Sequence, residues 1–166
     1  ARGRLMSTIE QVGFIGLGAM GYGLPAAIGA QLGRPDASVV NVTGDGSFMM
    51  NIQELATLIR YALPVKIVLM DNSSLGMVRQ WQELFLDERY SQTDLSDNPD
   101  FMTVAGAFGL SASRIWRAEH EVPAINWLLS SSGPALLHVV LDQRANVWPF
   151  VPPGADNSTM LIGAAK

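Results

Sequence analysis

Residues 44–72 read GDGSFMMNIQELATLIRYALPVKIVLMDN. A Gly-Asp-Gly closes one apolar run and an Asp-Asn closes the next. Between them lies about one helix's worth of residues, the length that a crossover between two parallel strands requires. Asp45 and Asn72 are thereby placed at the same edge of a parallel sheet. A carboxylate, an amide oxygen, a nearby backbone carbonyl, phosphate oxygens and water make the octahedral oxygen shell that suits Mg²⁺. Gly44 and Gly46 let the backbone approach a phosphate closely. Ser47 opens the following helix, where free N–H groups accept an anion. Taken singly, Asp45 could be a helix cap and Asn72 a turn residue. The spacing of the two together points to a metal-bridged phosphate site.

Outward from this block the chain alternates short β-rich runs with helical periods. Val12–Ile15 reads as a strand and 20–32 as a helix, ended by Gly33 and Pro35. Residues 38–43 form a strand and 48–62 one helix closed by Pro64. Residues 65–70, almost wholly apolar, form a strand buried on both faces. In 76–86, Met77, Val78, Trp81, Leu84 and Phe85 recur at helical spacing. A turn-rich stretch, 87–100, caps a helix over 101–108. A strand at 113–116, a helix at 121–129 and a strand at 135–141 follow. The Pro-rich end is expected on the surface as an extended tail. Alternating β and α with buried β runs predicts an α/β, doubly wound, mostly parallel sheet with helices on both faces. In such sheets ligands bind beyond the carboxyl ends of the strands. Both Gly44-Asp45-Gly46 and Asp71-Asn72 fall there.

The composition narrows the function classes. Of 166 residues, 48% are apolar and 16% charged, which argues against disorder and for a well-buried, oligomeric domain. A net charge of −4 disfavours a nucleic-acid or anionic-membrane partner. The absence of cysteine removes disulfides, thiolate metal sites and a cysteine nucleophile, and leaves the cytoplasm as the default location. No apolar run reaches the ~18 residues of a membrane span. The first residue is not Met, so the chain is expected to be a piece of a longer one.

GDG followed some two dozen residues later by a terminal Asn resembles the thiamine diphosphate motif. The likeness runs on through LGAMGYGLPAAIGAQLGRP (17–35), GDGSFMMNIQEL (44–55), LGMVRQWQELF (75–85), ERYSQTDLSDNPDF (88–101) and VPPGADNSTM (151–160). Together these segments are similar to the C-terminal, thiamine diphosphate-binding domain of the acetohydroxyacid (acetolactate) synthase family. The resemblance implies that Asp45 and Asn72 ligate Mg²⁺ through side chains and Ser74 through its carbonyl. It implies that Gly46 and Ser47 contact the diphosphate with Gly76 and Met77 nearby, and that the Gly18 carbonyl and the Met20 N–H grip the aminopyrimidine. Trp81 would line the substrate pocket and favour 2-ketobutyrate over pyruvate as second substrate. The implied reaction decarboxylates pyruvate and joins the two-carbon unit to a second 2-keto acid, in branched-chain amino-acid biosynthesis. The family's activating Glu lies on another domain, usually of a partner subunit, so no catalytic residue is assigned here and the chain alone is expected to be nearly inactive. A homodimer or higher oligomer, a small regulatory subunit, and FAD held mostly by upstream residues complete what the resemblance implies.

A second reading competes at the start of the chain. Gly16-x-Gly18-x-x-Gly21 has dinucleotide-binding spacing, and Asp45 stands 24 residues after Gly21, as in NAD-linked β-hydroxyacid dehydrogenases. The same glycines also fit the synthase segment. Gly13-Phe14-Ile15-Gly16 departs from the Ser-Gly-Gly usual there, so residues 1–16 read as an atypical segment before a binding domain at 17–145 and a tail at 146–166. A third reading is a non-catalytic phosphate-binding module. Of the remaining residues, His138 is expected to be buried and bonded to a neighbour, and His120 to be solvated. Met49, Met50, Met77, Trp116, Trp127 and Trp148 are expected to pack in the core.

Overall fold

A computed structural model describes residues 12–15, by their backbone alone, and 20–163. Residues 1–11, Gly16 and Gly18 lie outside the described residues, so the glycine-spacing reading and the role implied for Gly18 have no structural account.

Five parallel strands form one sheet: β1 (Val12–Ile15), β2 (Ser38–Gly44), β3 (Lys66–Asp71), β4 (Ser111–Ile115) and β5 (Ala135–Val140), in the order β1-β2-β3-β5-β4. The first three are laid down side by side. The chain then skips a position, forms the far edge with β4 and returns to insert β5. Helices α1 (Gly23–Gly33), α2 (Asp45–Met49), α3 (Leu55–Arg60), α4 (Gly76–Phe85), α5 (Phe101–Phe108) and α6 (Glu121–Ser130) make the connections. Alternation along the strands builds two cores. Leu24, Ala27 and Ile28 of α1, Leu55 and Leu58 of α3, and Phe101 and Ala105 of α5 pack on Val39, Ile67, Leu69 and Leu136. Ala124 and Leu128 of α6 pack with Ile115, Ala135 and Leu137 on the other face. Each such buried side chain larger than alanine stabilises the fold by roughly 1.5–3 kcal/mol. The fold is the expected doubly wound α/β sheet.

Three expectations are corrected. The helix expected over 48–62 is two, separated by a turn at Met50-Asn51 and a short 3₁₀ segment, Ile52–Glu54. Asn51 leaves helical geometry (φ −135°, ψ 32°) because its side-chain amide donates to the Gly21 carbonyl at 2.8 Å. The tail is not wholly superficial. Phe150 is buried, and it exchanges backbone hydrogen bonds with Leu161 of 2.8 and 2.7 Å. Burying its ring outweighs the irregular backbone around it. Met50, Met77 and Trp116 are exposed rather than packed in the core. His120 is exposed, as expected.

Candidate functional site

The extended backbone of Gly44 (φ −85°, ψ 160°) turns from β2 directly into α2, making Asp45 the first helical residue, only 2% exposed. Gly46 and Ser47 follow on the same turn. The register Gly44↔Met70 brings the end of β3 alongside, so that the Asp45 and Asp71 carboxyls influence one another's charge. Burial drives the Asp45 carboxyl upward against the opposing Gly46 N–H, and the charge of Asp71 adds to the rise, to about 6. Burial pushes the Asp71 carboxyl up as well. Hydrogen bonds with His138, the Ser73 amide and Asp45 outweigh that push and hold it below the usual carboxylate range. The Asn98 side-chain amide faces Asp45 at 3.4 Å.

Beyond Asp71 the chain makes a tight turn. Asp71 Oδ1 accepts from the Ser73 N–H at 2.8 Å and the Ser73 hydroxyl at 3.3 Å, closing an Asx turn around Asn72. Ser73 has a left-handed backbone (φ 51°), which costs roughly 1–2 kcal/mol for a residue with a Cβ. Two hydrogen bonds of about 1 kcal/mol each offset that strain. The segment 91–95 clamps the turn from the other side. Ser74 Oγ donates to the Thr93 carbonyl at 3.0 Å, the Leu75 N–H donates to Thr93 at 2.9 Å, and the Leu95 N–H donates to Ser73 at 3.0 Å. The Asn72 amide lies over the start of α4, where a Cβ on Gly76 would stand 2.7 Å from Asn72 Nδ2. Only glycine at 76 leaves Asn72 in this position.

Helix α4 is inside out. Its polar residues Arg79, Gln80 and Gln82 are buried, while Met77, Val78, Trp81 and Phe85 are 44–50% exposed. The buried side chains staple the flanking loops. Gln80 both donates to and accepts from the backbone of Val147, at 3.0 Å each way. Gln82 does the same with Ser91, at 3.0 and 3.2 Å. Arg79 pairs with Glu83 at 2.7 Å and bonds to Asn146. On the outer side Trp81 meets Phe85 and Phe150 edge-on, with ring centroids 6.4 Å apart in both pairs. The apolar periodicity of α4 therefore marks a face that the described residues leave half-exposed.

Asp45, Gly46, Ser47, Asn72, Ser74, Gly76 and Met77 thus sit at the carboxyl ends of β2 and β3, with Trp81 one helical turn further along α4. Met20 stands apart from the core, 81% exposed and left-handed (φ 40°). Asn51 ties its turn to the end of α2, and Gly21 (φ 85°) has no space for a Cβ beside Asn51 and Met50. Asp71, Asn98, Arg114 and His138 belong to this neighbourhood and were not foreseen as site residues. The signals for two of them were present: an Asp directly before Asn72, and a lone His inside an apolar strand. Among the described residues no three His, Cys, Asp or Glu side chains converge on a metal-sized space. The donors available are carboxylate, amide and carbonyl oxygens, which suit a hard cation completed by phosphate and water rather than zinc. The buried carboxyl pair, with no cationic side chain bonded to Asp45 among the described residues, fits such a cation.

Comparison with known proteins adds the cofactor. Residues 4–139 match the family described as the thiamine pyrophosphate enzyme, C-terminal TPP binding domain. The chain belongs to this family. The matched span includes the glycines at 16, 18 and 21 and runs from before β1 to Val139 in β5. It is 60% identical over 146 residues to the acetolactate synthase isozyme 2 large subunit of Escherichia coli (strain K12), covering 88% of this chain and 27% of that protein. It is 47% identical over 152 residues to the acetolactate synthase large subunit of Pyropia yezoensis, covering 91% of this chain and 26% of the relative. A solved structure, the thiamine diphosphate-dependent 4-hydroxybenzoylformate decarboxylase of Rhodococcus jostii, superposes with a TM-score of 0.67 at 30% identity, over 75% of this chain and 24% of that one. The thiamine pyrophosphate-binding domain thus spans about a quarter of the length of the relatives it matches.

Proposed function

We propose that this chain supplies the diphosphate- and Mg²⁺-binding half of an acetolactate synthase active site. Asp45 and Asn72 hold the cation through their side chains and Ser74 through its carbonyl. Gly46 and Ser47 face the diphosphate, Gly76 and Met77 flank it, and Met20 with Gly18 meets the aminopyrimidine. When bound, thiamine diphosphate supplies the electron sink on which a 2-keto acid loses CO₂. The chain's own residues anchor the phosphates, orient the cofactor and wall off water. The exposed face of α4 fits this role: Trp81, Phe85 and Phe150 make an apolar wall beside the site, against which the side chain of the second 2-keto acid is selected. Pyruvate and 2-ketobutyrate are the substrates. The activating Glu and any FAD contacts belong to other domains of the subunit or of its partner in a homodimer or larger oligomer, with a small subunit as regulator and the cytoplasm as the site of action. Residues 17–145 are the binding unit and 146–166 a tail whose Phe150 packs on α4.

The observation that carries this reading is the buried Asp45 carboxyl standing beside the Asn72–Ser74 turn at adjacent strand ends. The similarity to the Rhodococcus jostii decarboxylase favours one other reading, simple 2-keto acid decarboxylation. Product analysis separates the two. The whole subunit given pyruvate, thiamine diphosphate and Mg²⁺ should form acetolactate, and with added 2-ketobutyrate the mixed acetohydroxybutyrate. Acetaldehyde alone would assign it to the decarboxylases, and unconsumed pyruvate would exclude both.

A further inference from the structure

A line of polar side chains crosses the sheet beneath the site on the face that carries α5. Asp100 caps α5, accepting from the Thr103 N–H at 2.8 Å, and is bonded by its other oxygen to Arg114 Nη2. Arg114 on β4 is paired in register with His138 on β5 and donates Nε–H to His138 Nδ1 at 3.0 Å. His138 Nε2 lies 2.7 Å from Asp71 Oδ2, and the edge of Phe101 packs on the imidazole at a centroid distance of 5.4 Å. His138 is 4% exposed. A guanidinium only donates, so Nδ1 must hold a lone pair and Nε2 must carry the hydrogen. The imidazole is therefore fixed as the neutral Nε2–H tautomer and donates to Asp71. With one oxygen held by His138, the other is aimed at Ser73, where it closes the turn that presents Asn72 and the Ser74 carbonyl.

We propose that Asp100, Arg114 and His138 form a positioning relay that locks the Asp71 carboxylate and, through it, the cation-binding turn at Asn72–Ser74. The inference rests on the site reading above. His138 touches neither cation nor cofactor. It acts as outer partners of metal ligands do, by fixing orientation, and loss of such partners typically lowers metal affinity about 10–100-fold.

The chain has two histidines, so ¹⁵N-histidine labelling of the 166-residue chain resolves both. At neutral pH the long-range ¹H–¹⁵N spectrum should show His138 as the Nε2–H tautomer and solvated His120 as an exchanging mixture. A His138 in the Nδ1–H or imidazolium form would overturn the relay. The second readout is calorimetric uptake of thiamine diphosphate with Mg²⁺. His138→Leu should weaken it at least ~10-fold, while His138→Gln, which keeps an N–H donor near the Nε2 position, should stay within about threefold of the parent. Equal affinity in all three chains, or equal loss in two folded variants, would overturn the proposal. Should His138→Leu fail to fold, Arg114→Met, at a partly exposed position, replaces it: the relay requires His138 to become a tautomer mixture and Mg²⁺ uptake to weaken, and an unchanged spectrum and affinity would contradict it. The uptake arms are run in the whole subunit, because this chain is read as half of the site; if the whole subunit takes up no Mg²⁺ and thiamine diphosphate, the site reading falls, and the relay's purpose with it, whatever the tautomer.

Discussion

At Asp45 two opposing demands meet. The carboxyl is buried beside Asp71, which favours its protonated form, yet the proposed cation requires it ionised. In the metal-free chain the folded-state value near 6 exceeds the ordinary 3.8, so the folded form holds a proton that the unfolded form has released. That contribution favours folding at low pH and is lost as pH rises through about 6. Asp45→Asn should therefore raise the metal-free melting temperature more at about pH 7.5 than at about pH 5, measured in a chelator; an equal shift at both would contradict the burial argument. Gly76 gives a second residue-scale prediction. Gly76→Ala places a methyl 2.7 Å from the Asn72 amide, while alanine suits a helical first turn at least as well as glycine. The variant should keep its melting temperature and lose Mg²⁺-dependent cofactor affinity about tenfold; unchanged affinity would remove Asn72 from the cation. Asp45 and Asn72 were legible because residue type and spacing carry the chemistry. His138 was legible as a buried residue bonded to a neighbour, but its link to Asp71 and Arg114 was not, since that relation is lateral across β3, β5 and β4 and no local spacing records which strands become neighbours.

Helix α4 shows the limit of periodicity at the scale of an element. The spacing of Met77, Val78, Trp81 and Phe85 correctly marks a helix, but it cannot say whether the apolar side faces this chain or something else. Here the buried side is polar because Gln80 and Gln82 complete the backbone hydrogen bonds of Val147 and Ser91. Gln82→Leu should strip the Ser91 N–H and carbonyl of their side-chain partner and destabilise the chain by roughly 1–3 kcal/mol, read by denaturant unfolding. It should also loosen the 91–95 clamp on Ser74. An effect below about 0.5 kcal/mol would mean that the loop is held by other contacts. Trp81→Leu in the whole subunit should lower the preference for 2-ketobutyrate over pyruvate in a competition assay scoring both products. An unchanged product ratio would leave Trp81 as part of an assembly face only. The strand ends were read to within about two residues, because buried apolar runs bounded by Gly, Pro and Asp leave little freedom. The split between α2 and α3 escaped, because the cause is Asn51 reaching thirty residues back to Gly21.

The whole domain is a parallel sheet with two cores whose carboxyl edge carries every described residue of the proposed metal site. Its class followed from alternation alone, but the insertion of β5 between β3 and β4 is a long-range choice that placed His138 beside Asp71. Arg114 also joins the edge strand to α5 by holding the Asp100 carboxyl well below the usual range. A lowered carboxylate stabilises the fold above its unfolded value and loses that effect as pH falls. Arg114→Met should therefore begin acid unfolding at a higher pH than the parent, followed by circular dichroism; coincident curves would show the pair to be fully screened. The apolar face of α4 stays half-exposed beside its aromatic cluster with Phe150, in a chain that spans about a quarter of its relatives' length. The central claim is that Asp45 and the Asn72–Ser74 turn hold a cation that in turn holds a diphosphate. Calorimetric titration of thiamine diphosphate into the whole subunit and its Asp45→Ala variant, each with Mg²⁺ and with a chelator, tests it most directly. Binding should occur only in the parent with Mg²⁺, with Asp45→Ala still folded; binding that survives the chelator, or equal affinity in Asp45→Ala, would contradict it.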